Sequence, residues 1–154
     1  EQAAAIYLRM ASRFSPENPE LSSLWLEMGI QEKQHAGLLQ FCLAEEQFAE
    51  QLPTDKEIES AEALFSRLMR QASNADLSIE DAFRIALDLE TSEVNAIYDR
   101  LTIPMHTSRY LLRRKIAISL PDHLGYLLRE ARRFNLPEDA LKVLEQRIPK
   151  DQSR

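Results

Sequence analysis

The amino-acid sequence predicts an all-α protein, a four-helix bundle with a long helical crossover and a short C-terminal helix. Apolar residues make up 44% of the 154 positions and charged residues 29%, and only 3 positions are glycine, which is typical of a soluble helical protein. Apolar residues recur at steps of three and four along most of the chain, as they do on one face of a helix. The length suits one domain, so we expect residues 1–154 to form a single domain.

The first two helices of the bundle are predicted at the start of the chain. Residues 1–14 carry a helical pattern from the first position, and their apolar stripe extends back to Glu1. We therefore expect the numbering to begin inside a first helix that is truncated at its N-terminus. Asn18 followed by Pro19 is a favourable N-cap and first turn for the second helix, which we expect from 19 to 50.

A third helix and a fourth, longer one follow, each introduced by a capping signal. Thr54 and Glu57 form a capping box for a helix over 55–73, which we interpret as the crossover. Ser78 opens the next helical pattern, which runs over 79–101.

The last third of the sequence predicts three shorter helices. Residues 108–119 are expected to form a basic helical piece, whose positive charges are interpreted as a solvated face, with an anion or partner site as the alternative. A helix beginning near Asp122 and ending before Pro137 completes the bundle, and an amphipathic helix over 137–148 ends the chain.

Two chemically active side chains occupy core positions of the second helix. Glu32 and His35 lie one turn apart on its apolar stripe, so both side chains point the same way. Burying a carboxylate costs several kcal/mol unless it is paired or bound to a cation. The spacing therefore predicts either a hydrogen-bonded pair or half of a metal site. The apolar members of this stripe are Trp25, Met28, Leu39 and Cys42.

The second half of the chain offers an equivalent pair. Glu90 interrupts the apolar stripe of the 79–101 helix, and Glu93, one turn further on, is the competing choice. A short string beginning at His35 recurs in similar form at His123. This internal repeat gives the order helix pair, crossover, helix pair, which suits a pseudosymmetric four-helix bundle.

These strings together resemble a known family. A first helix with a Glu and an Ala-x-x-Tyr-like run, a second with Trp before Glu-x-x-His-Ala-x-Leu-Leu, and a later Ala-Leu-x-Leu-Glu helix resemble the rubrerythrin-like branch of the ferritin-like superfamily. The resemblance covers most of residues 1–130 and is best over 24–41. It implies a ferritin-like four-helix up-down bundle whose core holds a di-iron or di-manganese carboxylate site.

The resemblance also implies a role for each matching residue. Glu32 would bridge two metal ions, and His35 would be a terminal nitrogen ligand. Glu90 would supply the carboxylate of the third bundle helix, and His123 the nitrogen ligand of the fourth. Glu1 is the candidate from the first helix.

The sequence departs from the family pattern in two places. Leu120 stands where the internal repeat calls for the second Glu-x-x-His glutamate, and Asp122 is only a displaced carboxylate, so the expected site is partial. The spacing of Glu1 to Tyr7 differs from that of Glu90 to its tyrosine, so a first-helix ligand upstream of Glu1 stays an alternative.

The composition limits the classes of partner that we expect for the protein. A formal net charge of −6 argues against non-specific nucleic-acid binding, and no apolar run approaches the ~20 residues of a membrane span. The single cysteine, Cys42, excludes an internal disulfide and the cysteine-ligated iron of rubrerythrins proper, and it fits a cytoplasmic protein. The resemblance implies a homodimer.

Two functions follow from the sequence. The first is a metal protein that uses iron or manganese at a partial site to handle iron or peroxide redox. The second is a metal-free ferritin-like structural or interaction module whose metal site has decayed. Leu120, at the position of an expected glutamate ligand, indicates this loss. No catalytic residue stands out, so the sequence leaves open whether the protein is an enzyme.

Overall fold

The computed structural model describes residues 1–44, 52–92, 97 and 123–147, without the side chains of residues 38 and 42–44. The described residues form six helices and no strand, which confirms the all-α prediction. Within the same residues, no helix has the length and hydropathy needed to cross a membrane. The helices are α1 (Gln2–Phe14), α2 (Pro19–Ala44), α3 (Asp55–Ala72), α4 (Ile79–Glu90), α5 (His123–Arg133) and α6 (Glu138–Arg147).

Backbone contacts divide these helices into two compact units. Helices α1, α2 and α3 belong to the first unit, and α4, α5 and α6 belong to the second. The expectation of a single domain over residues 1–154 stays a prediction.

In the first unit, α1 and α2 pack closely in antiparallel directions. The Ser22 hydroxyl donates a 2.8 Å hydrogen bond to the Ala11 carbonyl near the loop between the helices. About one turn further along α2, the Trp25 ring stacks on Tyr7 with 6.1 Å between ring centroids, and both residues are fully buried. Gly29 follows one turn later and lies against the N-terminal half of α1. These contacts make the α1–α2 pair the core of the unit.

The close approach of α1 and α2 depends on the absence of a side chain at position 29. A Cβ atom added to Gly29 would lie 3.2 Å from the Leu8 side chain and 3.4 Å from the Ala4 carbonyl oxygen. We expect Gly29→Val to lower the free energy of unfolding by about 2 kcal/mol, because overpacking forces neighbouring groups to move. Urea denaturation measures this loss.

Gly37 provides the matched control on the same helix. A Cβ atom there meets no heavy atom within 4 Å. Gly37→Ala should therefore raise the stability by up to about 1 kcal/mol, since alanine is the better helix former. Equal effects at the two glycines would contradict the packing argument.

Helix α3 joins the first unit through its C-terminal end. Thr54 accepts a hydrogen bond from the Glu57 amide and Glu57 bonds back to the Thr54 amide, so the predicted capping box is present. Leu68 and Ala72 are buried, whereas Ile58 near the start is 45% exposed. The predicted apolar side of α3 is therefore buried only over its last turns.

In the second unit, α4 is shorter than the sequence predicted. The expected helix over 79–101 ends at Glu90, with Thr91 as its C-cap. The Thr91 and Ser92 hydroxyls donate hydrogen bonds of 2.8 and 2.7 Å to carbonyl groups about one turn earlier. These local bonds satisfy the last carbonyl groups of the helix and so favour its end there. Of residues 93–101, the structure describes only Ile97.

Helices α5 and α6 complete the second unit. Asn135, with a φ of 55°, ends α5 in the left-handed conformation that asparagine tolerates. The buried side chains of Leu127 and Leu144 fix the apolar sides of the two helices. The Arg147 guanidinium at the end of α6 donates a 3.1 Å hydrogen bond to the Thr91 hydroxyl. The C-terminal helix expected over 137–148 is thus confirmed to within one residue at each end.

Some expected helical segments lie outside the described residues. They are the end of the second helix, at 45–50, and the basic piece at 108–119.

Candidate metal centre

The first unit holds one glutamate–histidine pair. Glu32 and His35 lie one turn apart on α2, and the His35 Nδ1 atom is 3.3 Å from a Glu32 carboxylate oxygen. Their side chains are only 15% and 11% exposed, respectively. The pair continues the buried stripe of Trp25 and Met28, so helical spacing alone accounts for its inward position. We call it the α2 pair.

The second unit holds a more deeply buried pair. The His123 Nδ1 atom lies 3.0 Å from a Glu90 carboxylate oxygen, although the two residues are 33 positions apart in sequence. The side chains of Glu90 and His123 are 4% and 8% exposed. Glu90 is the last residue of α4 and His123 is the first residue of α5, so the packing of these two helices creates the contact. We call it the α4–α5 pair.

The environment of Glu90 is unfavourable for a carboxylate that has no positive partner. The C-terminal end of a helix carries partial negative charge, and the last turn of α4 contains no basic residue. The last turn of α4 therefore supplies no positive charge to the buried carboxylate. A bound cation or a protonated imidazole at His123 would supply positive charge at this position.

The chemistry of both pairs fits a divalent transition-metal ion. Each pair joins a carboxylate oxygen to an imidazole nitrogen, and this donor combination suits iron, manganese and zinc. An ion of this kind would supply the positive charge that a buried carboxylate requires.

Glu1 occupies a different environment from the other four predicted ligands. It is exposed and precedes α1 as its N-cap, without a side-chain capping bond. In the antiparallel register, Ala11 faces Ser22 and Ala4 faces Gly29, so each step back along α1 matches a step forward along α2. This register places Glu1 at the level of Glu32. Its role as a ligand stays a prediction.

Three other residues weighed in the sequence lie outside the described residues. Glu93, the alternative to Glu90, is one of them, and Leu120 and Asp122, which mark the incomplete second motif, are the others.

No pattern in the sequence indicated the hydrogen bond that joins the ends of α4 and α6. Arg147 reaches Thr91, the residue next to Glu90, and so ties α6 to the helix end that carries the carboxylate. From the sequence, an arginine near the end of a short amphipathic helix is expected to be an ordinary solvated charge. Its hydrogen bond to Thr91 is evident only in the folded structure.

The chain has no match among protein-family models, curated proteins or solved structures, so its resemblance to the ferritin-like superfamily stays a prediction.

Proposed function

We propose that this chain is a ferritin-like, rubrerythrin-like metal-binding protein that holds iron or manganese through its two glutamate–histidine pairs. The proposal includes the four-helix up-down bundle that is expected from the sequence. The observation that carries it is Glu90, a carboxylate almost fully buried at the negative end of α4 with an imidazole nitrogen 3.0 Å away.

Three features of the pairs support this function. Both pairs present oxygen and nitrogen donors, which iron and manganese accept. Both are shielded from water, which strengthens the attraction between a carboxylate and a cation. Both lie on rigid helices, which position ligands more precisely than loops do. A bound iron or manganese ion would supply the change of oxidation state needed to handle iron or peroxide.

A metal-free structural or interaction module is the second candidate, and one observation favours it. The histidine of each pair already has a glutamate oxygen 3.3 Å (His35) or 3.0 Å (His123) away in its own unit. A protonated imidazole beside a carboxylate satisfies both groups without an ion. In that case the pairs would only fix the packing of their helices.

Metal content and metal-dependent stability separate the two candidates. We expect protein purified without chelator to contain iron or manganese by elemental analysis. We also expect the metal-free protein to gain about 2.7 kcal/mol of stability at a free manganese concentration one hundred times the dissociation constant. Thermal unfolding with and without Mn²⁺ measures this gain.

Two double variants test the contribution of each pair. Glu32→Gln with His35→Gln, and Glu90→Gln with His123→Gln, should each reduce the stabilisation by Mn²⁺. Glu80→Gln is the matched control, because Glu80 is an α4 glutamate that forms an exposed ion pair with Arg84. A metal-free protein whose melting temperature does not respond to iron or manganese would instead establish the structural module. The homodimer and the cytoplasmic location stay predictions.

A further inference from the structure

A positive side chain from α6 lies at the C-terminal end of α4, close to the α4–α5 pair. The Arg147 guanidinium donates a 3.1 Å hydrogen bond to the Thr91 hydroxyl, and Thr91 directly follows Glu90 in the chain. Consecutive Cα atoms are about 3.8 Å apart, so the Arg147 Nη1 atom lies within about 10 Å of the Glu90 Cα atom. Arg147 thus brings a charge from α6 to the helix end that carries the Glu90 carboxylate.

Thr91 connects this guanidinium to the last turn of α4. Its hydroxyl accepts the hydrogen bond from Arg147 and donates a 2.8 Å hydrogen bond to the Leu87 carbonyl. The Leu87 carbonyl also accepts a 3.0 Å hydrogen bond from the Thr91 amide. The last carbonyl groups of a helix carry the negative end of its dipole, and a nearby cation offsets part of that charge. Arg147 therefore makes the potential at this end of α4 less negative.

This positive charge acts on any cation that the α4–α5 pair holds. Like charges repel, and a divalent ion experiences twice the repulsion of a monovalent one at the same distance. Arg147 is exposed, so water and salt weaken the repulsion without removing it. The contact of Arg147 with Thr91 should therefore lower the metal affinity of the pair by a modest factor.

We propose that Arg147 regulates the metal affinity of the α4–α5 pair. When its guanidinium contacts Thr91, a divalent ion binds more weakly, and when the contact is broken, the ion binds more tightly. The inference rests on the proposed metal-binding function and keeps Glu90 and His123 as ligands of the ion. The coupling is reciprocal, so a bound ion weakens the contact of Arg147 with Thr91 by the same factor. The end of α6 is then the element that responds to the metal.

Arg147→Gln tests the effect of the charge, because glutamine keeps an N–H donor for Thr91 and is neutral. The probe is Mn²⁺, titrated into metal-free protein by isothermal titration calorimetry at about 0.1 M ionic strength, where the Debye length is about 10 Å. We expect the variant to bind Mn²⁺ about 3-fold to 10-fold more tightly than the wild type. The difference should largely disappear at about 1 M salt, where the Debye length is about 3 Å.

Two further variants separate the charge from the packing of α6. Arg147→Lys keeps the charge and should keep the wild-type Mn²⁺ affinity. Arg132 forms a 2.7 Å ion pair between α5 and Glu145 of α6, and it lies about 13 Å along α5 from His123. Arg132→Gln removes the same charge and loosens α6, but at this distance it should change the Mn²⁺ affinity by less than about 2-fold.

The alternative outcomes separate this inference from the proposed function. If Mn²⁺ binds the wild type but binds Arg147→Gln no more tightly, the inference is wrong and the metal-binding function stands. The same holds if Arg147→Lys gains as much affinity as Arg147→Gln, or if Arg132→Gln gains as much. If neither the wild type nor Arg147→Gln binds Mn²⁺ at any concentration, both the inference and the proposed function are wrong.

Hydrogen exchange measured by mass spectrometry provides a second test, from the side of α6. Because the coupling is reciprocal, saturating Mn²⁺ should speed amide exchange in the last turn of α6 of the wild type by up to about 10-fold. Arg147→Gln should show no such acceleration, since its contact with Thr91 carries no charge. Unchanged or slower exchange in this turn of the wild type would overturn the inference.

Discussion

Trp25→Ala is expected to lower the free energy of unfolding of the unit formed by α1, α2 and α3 by about 3–5 kcal/mol. Trp25 is fully buried and its ring stacks on Tyr7, which is also fully buried. The substitution removes apolar area from the α1–α2 contact and leaves a cavity that rigid helices cannot fill. Urea denaturation measures the loss, and amide hydrogen exchange in α1 and α2 shows where it occurs.

Leu26 is the control, because it is the next residue in the sequence and lies on another face of α2. Its side chain is 46% exposed, so Leu26→Ala removes few contacts. We expect a change of at most about 1 kcal/mol, as is usual for surface positions. Similar losses for Trp25→Ala and Leu26→Ala would mean that α2 does not bury the face described above.

The helices that the sequence predicted best are those with strong local signals at their ends. Thr54 and Glu57 fix the start of α3 by a capping box, and Asn135 ends α5. These signals involve residues that are close in sequence, so they can be recognised without the fold. The end of α4 was missed because Thr91 was interpreted as one more helical residue, whereas its hydroxyl bonds back to the helix.

The candidate site was predictable for a similar reason, but only in part. Helical spacing was enough to place Glu32 and His35 on one inward face. The contact of Glu90 with His123 spans 33 positions and depends on how α4 packs against α5, which spacing does not encode. Which nitrogen of the His123 ring faces Glu90 depends on the rotation of the imidazole ring, and the sequence does not predict that angle.

In metal-free protein, His123→Leu is expected to lower the free energy of unfolding by about 3–5 kcal/mol. The change removes the imidazole and leaves the carboxylate of Glu90 buried at the end of α4. Glu90→Leu should cost less, about 1–3 kcal/mol, because a neutral imidazole is easier to bury than a carboxylate. Urea denaturation of the wild type and the two variants measures both losses.

The double variant, Glu90→Leu with His123→Leu, decides what the α4–α5 pair is for. Replacing a buried charged pair by apolar residues of similar size is often neutral or stabilising, so we expect the metal-free double variant to be about as stable as the wild type. A pair retained only for stability would then be dispensable. Mn²⁺ should stabilise the wild type but have a much smaller effect on the double variant. The double variant lacks the carboxylate and the imidazole that bind the metal, although it folds without them. If the single variants each lose less than about 0.5 kcal/mol, Glu90 reaches water and the electrostatic argument for a cation at this position fails.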